Sequence, residues 1–157
     1  MIDNTQQIRD AVELLHRGKG VKVCLMCTGA GAGLQNLLAQ TAGASNTFLE
    51  GIFPYSTHAL ADWINFNPEK FVNDDVANRM AARAYIRAME LDITGGGSGE
   101  KAIGLGLTAT IASIGPKRGD YRVHLAVRSQ QGFAFSSFVF PKQPGSNISL
   151  LGRIREG

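Results

Sequence analysis

The sequence predicts an α/β protein, a three-layer α/β/α sandwich built on a mixed β-sheet, and three observations lead there. Helical patterns alternate with strand-like runs early in the chain, the order that yields parallel strands with helices on their faces. Three strand-like runs follow one another at the end, where antiparallel pairing needs only short turns. The run "VKVCLMC", residues 21 to 27, is β-branched at first and then wholly apolar, as in a central strand covered on both sides. With 157 residues, of which 44% are apolar, residues 1–157 are expected to form a single domain with a real core.

The elements follow in order. Asp3 or Asn4 can cap a first helix in which Ile8, Val12 and Leu15 recur at helical spacing, with Gly18 and Gly20 ending it. His16 falls near its C-terminus, where partial positive charge suits the helix dipole, and is expected at the surface. After "VKVCLMC", the turn "TGAGAG" leads into "LQNLLAQTA", helical with Leu34, Leu37 and Leu38 on one side. "NTFLEGIFPYS" reads as a second strand, with Pro54 marking a strand end or sheet edge. "HALADWINF" is a short helix carrying the sole tryptophan, Trp63. Asn73 caps "DDVANRMAARAYIRAMEL", which has acids in its first turn and turns Ala77, Met80, Ala81, Ala84, Ala88 and Leu91 to the core. Arg79, Arg83 and Arg87 line one side of that helix and read as a solvated face. "TGGGSGE" is a connector, and "KAIGLGLTATIAS", "YRVHLAVR" and "FAFSSFVF" are the closing strands, joined by "IGPKRGD" and "SQQG".

Composition excludes several functions. Sixteen basic against thirteen acidic residues give a net charge of +3 with no basic block, so no nucleic-acid partner is expected. The polar, amphipathic start is unlike a secretory signal, and no run approaches the roughly 20 apolar residues of a membrane helix, so a cytoplasmic location without membrane contact is expected. Cys24 and Cys27 form Cys-x-x-Cys, but on a strand a spacing of three turns the side chains to opposite faces, which favours two buried thiols over a redox pair. Scattered His16, His58 and His124 give no second ligand pair, so neither metal nor cofactor is expected.

"CTGAGAGLQNLLAQTAGASNTFLEGIFPYSTHAL" resembles the segment that defines the C-terminal domain of the CinA family, the nicotinamide-nucleotide amidases. The family reads E-S-C-T-G-G, a helix, then P-G-A-S-x-x-F-x-x-G and Y-S-N-E-A-K. Cys27, Thr28 and Gly29 match the first element; Gly43, Ala44, Ser45, Phe48 and Gly51 the second; Tyr55 and Ser56 open the third. "FVNDDVANRMA" is similar to the family's A-V-S-E-E-V-A-x-x-M-A, and Thr108 in "GLGLTATIAS" matches the Thr of its A-V-T-G-I-A-G-P. The ordered agreement runs over roughly residues 21 to 140. It implies a CinA-like fold, a homodimer, and hydrolysis of the carboxamide of nicotinamide mononucleotide by a Ser nucleophile that a Lys deprotonates, with the Gly-rich backbone stabilising the oxyanion.

The resemblance also implies a loss. Met26 stands where the nucleophilic Ser belongs and Leu60 where the Lys belongs, and neither side chain can do that chemistry. Ala30 replaces the second Gly of T-G-G, and the family's later G-D-R has no clear counterpart beyond Arg153 or Arg155. Cys27, Ser56 and His58 are the substitutes on offer for a rewired hydrolase, with Cys27 expected to point away from the face of Met26. Three readings follow. The first is a domain that binds a nucleotide without hydrolysing it, through Thr28, Gly29, Ala30, Gly31, Gly33, Tyr55, Ser56 and Thr108. The second is a rewired amidohydrolase. The third is a non-catalytic module for a nucleotide-metabolising partner, which an exposed patch in "GFAFSSFVF" would favour. The glycine turn itself is open to two explanations, an anion cradle or close packing of helix on strand.

Overall fold

The computed structural model describes residues 4–18, 20–111 and 119–141. Along them run α1 (Asn4–Gly18), β1 (Lys22–Thr28), α2 (Ala32–Gln40), β2 (Phe48–Ile52), α3 (Thr57–Ile64), α4 (Asp74–Thr94), β3 (Ala102–Ala109), β4 (Tyr121–Ser129) and β5 (Gly132–Phe140). The five strands form one sheet in the order β2-β1-β3-β4-β5. β1 lies parallel to β2 and β3, and β4 is antiparallel to both β3 and β5, so the sheet is mixed. Asp3, residues 114–118 of the "IGPKRGD" turn, and Arg153 and Arg155 lie outside the described residues.

Alternation along β1 divides the core in two. Cys24 and Met26 face α3 and α4, where they join Leu60, Ile64, Val76 and Met80. Leu25 and Cys27 face α1 and α2, where they join Val12 and Leu38. Helices therefore cover both faces of β1, as its unbroken apolar run predicts, and the two cysteines point to opposite layers.

α4 lies unusually close to β3. A Cβ placed on Gly104 would sit 2.1 Å from the carbonyl oxygen of Ala81, and one on Gly106 would sit 2.2 Å from that of Ala77. The Ala face of α4 and the Gly-x-Gly of β3 are thus two halves of one contact, in which any larger side chain would force the layers apart. The Asn73 side chain caps α4, its Oδ1 accepting from the Val76 N–H at 2.8 Å. At the other end the glycine connector folds back over Asp92, whose carboxylate accepts from the Gly99 N–H at 2.9 Å.

Several expectations need correction. His16 is fully buried rather than at the surface: its Nε2 lies 3.0 Å from the Leu38 carbonyl oxygen and its Nδ1 meets the Thr47 hydroxyl. Both ring nitrogens have partners, so the imidazole docks the end of α1 onto α2 and the turn before β2. The second strand is shorter than its pattern, Phe48–Ile52, because Ala44–Asn46 form a 3-10 turn before it. It is an edge strand, as Pro54 just beyond it suggests. The arginines of α4 are tied down as well as solvated. Arg79 pairs with Asp75, Arg83 donates to the Trp63 carbonyl at 2.7 Å, and Arg87 grips both carboxylate oxygens of Glu50 on β2.

Candidate functional site

The three parallel strands end on the same side of the sheet, and the segments that leave them meet there. Thr28 closes β1 and Gly29 begins the turn to α2; Tyr55 and Ser56 lead from β2 into α3; Phe71 and Val72 precede α4; Thr108 and Ala109 close β3. Together with Leu60 and Ile111 they line a cleft of about 220 Å³. Small-molecule sites of open α/β sheets lie at this end of the strands, because the connecting loops diverge there and leave a crevice.

The glycine turn is shaped by packing. Gly29 has φ +66, and a Cβ there would lie 2.0 Å from the Ala109 carbonyl oxygen. A Cβ on Gly31 would meet Leu107 at 2.8 Å and the Cβ of Cys27 at 2.9 Å. The turn is pressed against the end of β3, which Ala or any larger residue would prevent.

The cleft's polar groups are hydroxyls and main chain. Ser56 caps α3, its Oγ accepting from the Ala59 N–H at 3.1 Å, while its own proton is left for another acceptor. Thr108 is fully buried and donates to the Phe71 carbonyl at 2.8 Å, which fastens the loop before α4 to β3. Tyr55 is 63% exposed and its ring lies 6.0 Å from that of Phe53. No charged side chain lines the cleft among the described residues.

Of the residues singled out in the sequence, Thr28, Gly29, Tyr55, Ser56, Leu60 and Thr108 come together at this cleft. Met26 is fully buried and shares the apolar cluster of Leu60. Cys27 lies on the opposite side of the sheet, 3.8 Å from Gln35 Oε1, and burial pushes its thiol up to about 11. Burial likewise pushes Cys24 up to about 12, so neither sulfur is a ready nucleophile. His58 is exposed, with Nδ1 3.5 Å from its neighbour Thr57, and is not part of the cleft lining. Gly33 opens instead onto a groove of about 710 Å³ between α1 and α2. Ala30 packs near Ala109 and Tyr121, and Gly31 is buried in the turn.

Sequence reasoning missed one cluster. His124 of β4 has Nδ1 2.7 Å from Asp74 Oδ1 and 3.0 Å from the Ser137 hydroxyl, which also donates to Asp74. Both partners engage the same ring nitrogen, so the three are not a nucleophile, base and orienting acid in series. They tie the first turn of α4 to β4 and β5. The Ser137 hydroxyl and then His124 hold the Asp74 carboxyl below its ordinary value. Residues fifty and more positions apart leave no local signal for such a cluster; only the alternation of "YRVHLAVR", which puts His124 and Ala126 on one face, pointed toward it.

An α/β sandwich with a cleft at the carboxyl ends of its parallel strands defines the class to which this chain belongs. The sequence matches no protein-family model and no curated protein. Solved structures do match. A CinA (competence-damaged protein) superfamily protein from Escherichia coli superposes with a TM-score of 0.63 at 14% identity, over 90% of this chain and 82% of that one. Competence damage-inducible protein A (ComA) from Klebsiella pneumoniae gives 0.63 at 13% identity, over 96% and 91%. Competence/damage inducible protein CihA from Agrobacterium tumefaciens gives 0.55 at 21% identity, over 82% and 79%. The chain has the fold of the CinA superfamily structures.

Proposed function

We propose that this chain is a CinA-like domain that binds a nucleotide, nicotinamide mononucleotide or a relative, in the cleft between the ends of β1 and β3 without hydrolysing it. One observation carries the reading. The two positions that correspond to the family's nucleophile and base hold Met26 and Leu60, and both are buried in one apolar cluster against α4. Acyl transfer needs a nucleophile and a base within hydrogen-bond reach of each other; here a thioether and an isobutyl group fill that volume. What supports binding is the cleft's mixture of an exposed Tyr55 ring, a free Ser56 proton and main-chain groups at strand ends.

A rewired amidohydrolase has less support, since Cys27 faces the other layer and His58 stands at the surface. The test is proton NMR of nicotinamide mononucleotide with the purified protein. Broadening of the ring signals without conversion is the expected outcome. Conversion that scales with protein and is lost in Cys27→Ala, Ser56→Ala or His58→Ala overturns the reading in favour of hydrolysis. Unchanged signals argue against this ligand.

A further inference from the structure

β5 is the last strand of the sheet among the described residues, and nothing there pairs with its outer side. Edge strands are normally protected from pairing by charge, proline or a bulge. Residues 132–140, "GFAFSSFVF", contain no charged residue and no proline, and their pairing with β4 runs without a register shift. Phe133, Phe135, Phe138 and Val139 are each more than half exposed. Phe133, Phe135 and Val139 lie on one face of the strand and Phe138 on the other, and together they present on the order of 400 Å² of apolar surface, the size of the patches that on soluble proteins often mark an interaction site.

We propose that this edge is a dimerisation surface, on which two copies of the chain pair β5 with β5, antiparallel about a two-fold axis at Ser136, to form one continuous sheet.

The register follows from the hairpin. Ser129 and Gly132 close a two-residue turn, which makes them a hydrogen-bonded pair. The main-chain groups of residues 132, 134, 136, 138 and 140 therefore turn toward β4, while those of Phe133, Phe135, Ser137 and Val139 turn to the open edge. A two-fold axis at Ser136 sets Phe133 opposite Val139 of the second copy and Phe135 opposite Ser137. Every outward N–H and C=O then meets a partner of the right kind, and like residues share a face across the junction. Ser136 faces itself in a non-hydrogen-bonded pair, and Ala134 faces Phe138. With no charge on the strand, the self-pairing brings no like charges together. The exposed side chains supply about half of the roughly 800 Å² per partner that a stable interface buries, and the paired main chain adds to it.

Two measurements test this. Sedimentation equilibrium over a dilution series is expected to show a dimer for the unaltered chain, and Phe135→Lys, which leaves the β4 pairing intact, is expected to weaken it at least about tenfold. Circular dichroism confirms that the variant is folded. In Ser136→Cys, the two Cα atoms lie about 4.5 Å apart across the axis, within disulfide range, so mild oxidation is expected to yield a covalent dimer. Ala134→Cys, which does not face itself, is expected not to cross-link. A chain that is monomeric throughout, whether because another segment or a foreign peptide occupies the edge, overturns the proposal. A dimer indifferent to Phe135→Lys, or one that cross-links through Ala134→Cys as readily as through Ser136→Cys, overturns it equally.

Discussion

β1 and β5 are both short and apolar, yet they live in opposite environments. Cys24, Leu25, Met26 and Cys27 of β1 have no exposure at all, whereas Phe133 of β5 is 63% exposed. The difference is place in the sheet. β1 has a strand on each side and helices over both faces; among the described residues β5 has a strand on one side and the first turns of α4 nearby, tied to it through Ser137 and Asp74. Apolar composition sets what a strand gains by being covered, and topology sets whether it is covered.

The contrast is broken most sharply by truncation. Leu25→Ala is expected to cost about 2–5 kcal/mol of folding stability in urea titrations, because it opens a cavity in a packed layer. Phe135→Ala, measured at dilution, is expected to cost less than about 0.5 kcal/mol, as for an ordinary surface change. Equal costs would mean that β5 is covered within the monomer.

Overpacking comes next. Gly104→Ala is expected to lose about 3 kcal/mol by thermal or chemical unfolding, since the new methyl would lie 2.1 Å from the Ala81 carbonyl of α4. Asn73→Ala removes the cap at the start of the same helix and is expected to cost about 1 kcal/mol.

A pH series sharpens the picture where β5 meets α4. The Asp74 carboxyl is held below its ordinary value of 3.8, so the folded state takes up that proton less readily than the unfolded chain does. Its contribution is present above 3.8 and lost as the pH falls through the lowered folded value. The stability difference between the unaltered chain and Asp74→Asn is therefore expected to hold at pH values well above 3.8 and to shrink as the pH is lowered below it. The smallest effect is chemical. Cys24 and Cys27, with thiols raised to about 12 and about 11, are expected to resist iodoacetamide at neutral pH until the protein is unfolded.

Much of the candidate site was legible because its pieces sit at element ends. Thr28, Ser56 and Thr108 mark the close of a strand, the cap of a helix and the close of another strand, and such boundaries carry local signals. The cleft's remaining lining was not legible. Phe71 and Ile111 belong to irregular segments, and their approach depends on contacts such as the Thr108 bond to the Phe71 carbonyl. The glycine turn stayed ambiguous in sequence, since a cradle and a tight packing contact both ask for glycine. The Ala109 carbonyl at 2.0 Å from a would-be Cβ supplies the packing reason.

By itself the sequence determined the element types and their order, the opposed faces of Cys24 and Cys27, the Asn73 cap and the small-residue face of α4. Those follow from spacing within a few residues, where periodicity and main-chain geometry act directly. Only the tertiary structure decided that His16 is buried, that Met26 and Leu60 occupy one apolar volume, that Asp74 meets His124 and Ser137, and that an uncharged strand lies at the open edge. These depend on which layers meet and in what register, and such long-range pairings are fixed by burial of the whole sheet rather than by the residues of any one segment.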